Sequence, residues 1–143
     1  MDTLYRIVFL VFLLMVSPCI LIHAEESANL PAEVMQPVIA IRDGVIATTV
    51  ENRLPQGAGE QFPATVGMLY CFTTVSGAEA DTSITHTWYY QDKKMAQVVL
   101  SVRSAFWRTW SSKTILPEWK GDWKVAVTAE DGILLATIPF TIE

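Results

Sequence analysis

The fold is decided by residues 95–115, which read MAQVVLSVRSAFWRTWSSKTI. In the first half of this stretch apolar side chains alternate with mostly polar ones, and the apolar side carries Ala96, Val98, Leu100 and Val102. An alternation with a period of two is typical of a half-buried β-strand. A second strand follows after the short connection 103–106, and this spacing predicts a β-hairpin with Trp107 beside Val102 and Trp110 on the opposite side.

The strand pattern extends outward from this stretch in both directions. Turn residues such as Gly, Pro, Asn and Asp separate short segments that are rich in β-branched and aromatic residues. These segments are 38–41, 44–50, 65–75, 83–91, 95–103, 106–115, 122–129 and 134–142. Seven or eight short strands without a long helical segment predict an all-β fold, a small antiparallel β-sandwich of the immunoglobulin-like kind.

The last two predicted strands indicate which side chains reach the core. In the first of them the inward positions are Trp123, Val125 and Val127. In the second they are Leu134, Ala136, Ile138, Phe140 and Ile142. Pro139 lies on the other side and lacks a backbone N–H, which predicts an edge position or a β-bulge.

The first 24 residues differ from the rest in composition. Residues 7–22 contain 14 apolar residues and no charge, with Arg6 before them and the small Ala24 behind. This pattern predicts a secretory signal peptide, with an uncleaved membrane anchor as the alternative. At about 1.5 Å per residue the run spans roughly 24 Å, short for a hydrocarbon core of roughly 30 Å. We therefore expect an exported domain, either periplasmic or tethered to the inner membrane.

The rest of the chain has the composition of one globular domain. A linker is predicted at 25–37, and a single domain at 38–143. The chain carries a formal net charge of −5 and no run of basic residues, which excludes nucleic acid as an expected partner. Cys71 is the one cysteine after the leader, so it has no intramolecular disulfide partner and is predicted to be a buried small hydrophobe.

Tryptophan is concentrated in one region, because all five lie between Trp88 and Trp123. Three of them occupy inward positions of alternating strands and are predicted to lie in the core, namely Trp88, Trp107 and Trp123. Trp110 and Trp119 are open to two interpretations, core packing or a flat surface on which a ligand stacks. Together with Arg108 and Lys113 they form the predicted binding residues, and we expect an envelope protein or a glycan as the partner.

Two polar residues are predicted to be structural. His86 shares a strand face with apolar neighbours, which favours a histidine that pins two strands through a Ser or Thr. The alternative is a hydrolase in which His86 acts as general base for Ser111 or Ser112, although no nucleophile elbow is present. Arg53 lies in a predicted strand exit whose turn is fixed by Pro55, where it is free to pair with a carboxylate. The sequence predicts no catalytic residue, no metal site and no cofactor.

Several strings resemble the bacterial domain-of-unknown-function 2914 family. They include ITHTWYY at 84–90, WRTWSSK at 107–113 and GDWKV at 121–125. NRLP at 52–55 is similar to the early Asn-Arg-Glu-Pro element of the family, with Leu54 in place of the acidic residue. The resemblance extends over 38–142 and implies a small all-β domain, exported or attached to membrane segments, with no assigned reaction.

Three functions remain open from the sequence. The first is a non-enzymatic binding or interaction module in the bacterial envelope, which uses the Arg108, Trp110 and Lys113 face. The second is a hydrolase that uses His86. The third is a structural spacer or assembly domain, and the sequence does not determine the oligomeric state.

Overall fold

The computed structural model describes residues 39–143, so the predicted leader 1–24 and linker 25–37 lie outside the described residues. All regular elements in this range are β-strands, which confirms the predicted fold class. They are β1 Ala40–Ala47, β2 Thr49–Glu51, β3 Leu54–Gln56, β4 Gln61–Phe62, β5 Met68–Ser76, β6 Thr82–Tyr90, β7 Lys93–Val102, β8 Phe106–Thr114, β9 Gly121–Ala129 and β10 Leu134–Ile142. Within 39–143, no helical segment has the length and apolar character that crossing a membrane requires.

Two sheets form the layers of the predicted sandwich. One has three strands in the order β1-β5-β8, and the other has five in the order β4-β10-β9-β6-β7. Pairing is antiparallel except between β10 and β4, and β2 with β3 forms a separate hairpin. The core lies between the sheets, because β5 contributes Leu69 and Cys71 to the same buried cluster to which β6 and β9 contribute Trp88 and Trp123.

The predicted hairpin between β7 and β8 is wrong. β7 pairs with β6, and β8 pairs with β5 from Met68↔Thr114 to Ser76↔Phe106, so the chain changes sheets at residues 103–105. Packed sheets lie about 10 Å apart, and three extended residues span about 10 Å. A short connection therefore fits a crossing at the end of the sandwich as well as it fits a hairpin. β7 is instead joined to β6 through Gln91 and Asp92, whose positive φ angles of 45° and 65° form the tight turn.

The inward residues agree with the alternation in most strands. Val102, Trp123, Val125 and Val127 are buried, while Val99 on the outer side of β7 is 65% exposed. Leu134 is an exception at 59% exposed, because the pairing with β9 shifts between Leu134 and Ala136. This bulge directs Leu135, not Leu134, toward the second buried cluster.

Pro139 lies at a locally open side of β10, because β4 pairs with β10 only at Thr141 and Ile142. Thr141 and Glu143 donate their N–H groups to Glu60 and Phe62 at the β4 side of β10. Because alternate residues of a strand point to the same side, the ring nitrogen of Pro139 also faces away from β9. The missing donor therefore costs the β9–β10 ladder nothing.

The segment 52–55 is a hairpin turn and not a strand exit. Asn52 and Arg53 have φ angles of 51° and 60°, the combination of a two-residue turn between β2 and β3. Pro55 lies in β3 opposite Val50 and does not fix the turn. The structure places Arg53 at the tip of this hairpin.

Candidate functional site

Three of the buried polar residues, Thr73, His86 and Ser111, belong to one hydrogen-bonded chain across the sandwich. His86 on β6 contacts Ser111 Oγ on β8 through Nδ1 at 2.9 Å and Thr73 Oγ1 on β5 through Nε2 at 3.2 Å. The Trp88 indole N–H donates to Ser111 Oγ at 3.0 Å, and the Thr73 hydroxyl donates to the Thr109 carbonyl oxygen at 3.4 Å. These contacts join β6 of one sheet to β5 and β8 of the other through the core.

One arrangement of protons satisfies every group in this chain. Ser111 Oγ accepts from Trp88 and donates its own proton to His86 Nδ1, so that the proton of the neutral ring lies on Nε2. His86 then donates to Thr73, whose hydroxyl proton is directed to the Thr109 carbonyl. Every buried side-chain nitrogen and oxygen within 39–143 has a hydrogen-bond partner. Such a fully satisfied network stabilises and specifies a core.

The contact between His86 and Ser111 has the atoms of a nucleophile pair but not its setting. The two side chains are 0% and 5% exposed, and the second ring nitrogen contacts a threonine where a triad has a carboxylate. Burial lowers the pKa of His86 from 6.5 to about 4, which keeps the ring neutral inside the core. This geometry favours a structural role for the pair.

A second group of candidate residues lies along β8, on the side that does not pair with β5. Arg53, Ser101, Trp107, Arg108 and Trp110 line a groove of ≈ 300 Å³, together with Thr109. The Arg53 guanidinium lies 5.5 Å from the centroid of the Trp107 ring and donates from Nη2 to the Arg108 carbonyl oxygen at 3.4 Å. The hairpin β2–β3 thus reaches the edge of the three-stranded sheet and supplies a cation there.

The Trp110 ring packs against the ring of Phe72 on the neighbouring strand β5. It lies opposite Phe72 in the β5–β8 ladder, and their rings stack with centroids 6.2 Å apart and 13° between planes. Phe72 is buried, whereas Trp110 is 36% exposed. Arg108 lies on the same side of β8, with its guanidinium 5.7 Å from the Phe106 ring. The outer face of β8 therefore carries an aromatic and cationic row.

Lys113 and Trp119 lie apart from this row. By alternation Lys113 belongs to the opposite side of β8 from Arg108 and Trp110. Its Nζ lies 5.0 Å from the centroid of the Trp119 ring, and Trp119 packs against the core cluster beside Tyr90 and Trp123. The structure brings Arg108 and Trp110 together and separates Lys113 and Trp119 from them.

Arg53, which the sequence leaves free to pair with a carboxylate, is one of the residues that line the groove. Within 39–143 the structure shows one ion pair between side chains, Lys124 with Asp92, so neither Arg53 nor Arg108 is paired with a carboxylate there. Arg53 and Arg108 are 55 positions apart in the chain, and no local pattern relates them. Only the position of the hairpin β2–β3 over the sheet brings them together.

Two further predictions concern cysteine and metal ligands. Cys71 is buried and free, and burial raises the pKa of its thiol to about 12, in agreement with a small hydrophobic role. In the described part of the chain, no group of three or more His, Cys, Asp or Glu side chains is arranged to hold a metal ion.

Comparison with known proteins gives one family. The family described as a protein of unknown function, DUF2914, matches residues 81–142. This range begins at β6 and includes β8 with Arg108 and Trp110, while the hairpin with Arg53 lies before it. No curated protein matches the chain. The family match covers 62 of the 143 residues, and it agrees with the resemblance seen in the WRTWSSK and GDWKV strings.

Proposed function

We propose that this protein is an exported, non-enzymatic binding module of the bacterial envelope, and that it binds its partner at the groove along β8. The observation that carries the proposal is that two arginines and two tryptophans are among the residues that line this groove. The Arg53 guanidinium lies over the Trp107 ring, and that of Arg108 lies over the Phe106 ring.

The charge of these residues supports a binding role. The chain as a whole is acidic, with a formal net charge of −5, yet the groove carries Arg53 and Arg108 without carboxylate partners in residues 39–143. Arginine and tryptophan are the residue types that contribute most to protein interfaces when a partner covers them. A partner with negative charge and an apolar or ring-shaped part fits this lining.

Pre-organisation of the groove also supports this role. Trp110 is stacked on the buried Phe72, and Arg53 is fixed by the Arg108 carbonyl and the Trp107 ring. Side chains that are already ordered lose less conformational entropy when a partner binds.

We expect the double substitution Trp110→Ala and Arg108→Ala to abolish capture of the partner and to leave the fold intact. Crosslinking in intact cells, followed by purification and mass spectrometry, measures capture, and circular dichroism measures the fold. The matched control is Val99→Ala with Lys94→Ala, an exposed apolar residue and an exposed cation on the other sheet. Equal capture by both double variants contradicts the proposal, and unfolding of the first variant shows that the pair is structural.

The oligomeric state distinguishes an assembly domain from the proposed binding module. Light scattering coupled to size exclusion is the measurement, and a strict monomer argues against self-assembly. The groove residues give no reason to expect a dimer, because two copies of this cationic surface repel one another.

A further inference from the structure

β8 is an edge strand whose backbone is open on one side. It pairs with β5 and has no strand on its other side within residues 39–143. In an antiparallel pair, successive residues direct their N–H and C=O groups alternately toward the neighbouring strand and away from it. Ala105 O and Ile115 N bond to Gly77 and Gly67 at the two ends of β5, so odd-numbered positions face β5. Even-numbered positions from 106 to 114 therefore face outward.

Three of the five outward carbonyl groups are covered by side chains of this domain. Ser104 Oγ donates to Phe106 O at 2.7 Å, Arg53 Nη2 to Arg108 O at 3.4 Å and Lys113 Nζ to Thr114 O at 3.1 Å. Covering an edge in this way prevents unwanted strand pairing. The N–H and C=O groups of Trp110 and Ser112 have no such partner within residues 39–143. The part of the β8 edge whose backbone groups are uncovered is therefore confined to residues 110–112, and we call it the opening.

The covered ends of this opening carry positive charge. Arg53 and Arg108 lie on one side of it, Lys113 on the other, and none of them forms an ion pair with a carboxylate of the described residues. An added strand that crosses the opening would therefore place its flanking side chains next to cations. Acidic side chains are favoured at these positions.

The same charges argue against a second copy as the occupant. If β8 pairs antiparallel with β8 of another copy around Ser111, position 108 comes opposite position 114. Arg53 and Arg108 of one copy then lie near Lys113 of the other, which is a repulsive arrangement.

We infer that residues 110–112 of β8 bind an extended acidic segment of a protein partner by strand addition. This inference rests on the proposed function, whose partner it specifies. Trp110 and Ser112 supply up to four backbone hydrogen bonds, and Arg53, Arg108 and Lys113 select negative charge. Trp110, stacked on Phe72, provides the apolar contact for an alternate side chain of the segment.

Ser112→Pro tests the backbone contribution directly. It removes an outward N–H that does not belong to the β5–β8 ladder, and proline is tolerated at an edge position of this kind. The matched control Ser112→Ala keeps the N–H. The probe is a fluorescein-labelled peptide of alternating Glu and Val, measured by fluorescence anisotropy, with a Gln and Val peptide as its neutral counterpart. We expect Ser112→Pro to bind the acidic peptide about tenfold more weakly than Ser112→Ala does, and the affinity to fall at high salt.

A second measurement leaves the protein unchanged. The Glu and Val peptide with N-methyl groups at alternate residues cannot form the full set of strand hydrogen bonds, and we expect it to bind about tenfold more weakly. The inference is overturned if the acidic peptide does not bind, if methylation has no effect, or if a folded Ser112→Pro protein binds as Ser112→Ala does. It is also overturned if light scattering shows a dimer that Ser112→Pro dissociates.

The failure of this inference differs from the failure of the proposed function. If crosslinked capture in cells is lost with Trp110→Ala and Arg108→Ala but retained with Ser112→Pro, the binding role stands and strand addition is overturned. If capture survives all three substitutions, both proposals are overturned.

Discussion

Replacing Ser111 with alanine should lower the free energy of unfolding by about 2 to 5 kcal/mol, because two buried groups lose their partner at once. Ser111 Oγ accepts from the Trp88 indole and contacts His86 Nδ1, and all three residues lie in the core. The position that Ser111 Oγ occupies is buried, so water cannot take its place unless the core rearranges. Urea denaturation followed by tryptophan fluorescence measures the loss, since Trp88 is itself fully buried.

The neighbouring Ser112→Ala is the matched control for this prediction. Ser112 is exposed on the other side of the same strand, so its loss should change stability by less than about 0.5 kcal/mol. If the two variants are equally stable, the hydrogen-bonded chain through His86 contributes nothing that the apolar core does not already supply.

Acidification should destabilise the domain through His86. Burial holds the pKa of this histidine at about 4 in the folded protein, against 6.5 for an exposed one. Between these values the unfolded state binds the proton and the folded state does not, so the free energy of unfolding falls as the pH decreases from about 6.5 and levels off below about 4. The total loss from this residue is about 3 kcal/mol at 1.36 kcal/mol for each pKa unit.

His86→Gln isolates this contribution. Glutamine has an amide that donates and accepts hydrogen bonds but does not titrate, while the carboxylates of the chain are common to both proteins. Cys71, which lies opposite Ser111 in the ladder, has a pKa of about 12 and stays neutral throughout this range. Unfolding free energies measured from pH 7 to pH 4 should therefore decline more steeply in the original protein than in the His86→Gln variant, and parallel curves contradict the assignment.

The strands were predictable where a residue's environment follows from its own neighbours. Alternation in β7 and β9 identified the inward side chains, and Pro139 indicated an edge before its neighbours were known. Where the sequence prediction failed, two arrangements had the same local pattern. The connection 103–105 fits a hairpin and a crossing between sheets equally well. The register shift between Leu134 and Ala136 cannot be recognised from the alternation of apolar and polar residues.

In the candidate site, too, some positions follow from the alternation along one strand and others depend on tertiary structure. Arg108 and Trp110 were predicted from their two-residue spacing on one strand, which places them on one face whatever the strand pairs with. Lys113 lies five positions from Arg108, an odd number, so the alternation already separates it from that face. The position of Arg53 beside Arg108 could not be predicted, because the turn at 52–53 lies next to β8 only when β1, β5 and β8 form one sheet.

The sequence by itself determined that this protein has a β-sandwich with an aromatic core, and that His86 is a polar residue among apolar ones. Those properties depend on side-chain periodicity and residue type, which are local. Only the tertiary structure decided that His86 joins the sheets through Ser111 and Thr73, and that Arg53, Ser104 and Lys113 leave residues 110–112 as the open part of an edge. These properties depend on which strands are neighbours, and strand pairing is set by the packing of the whole core.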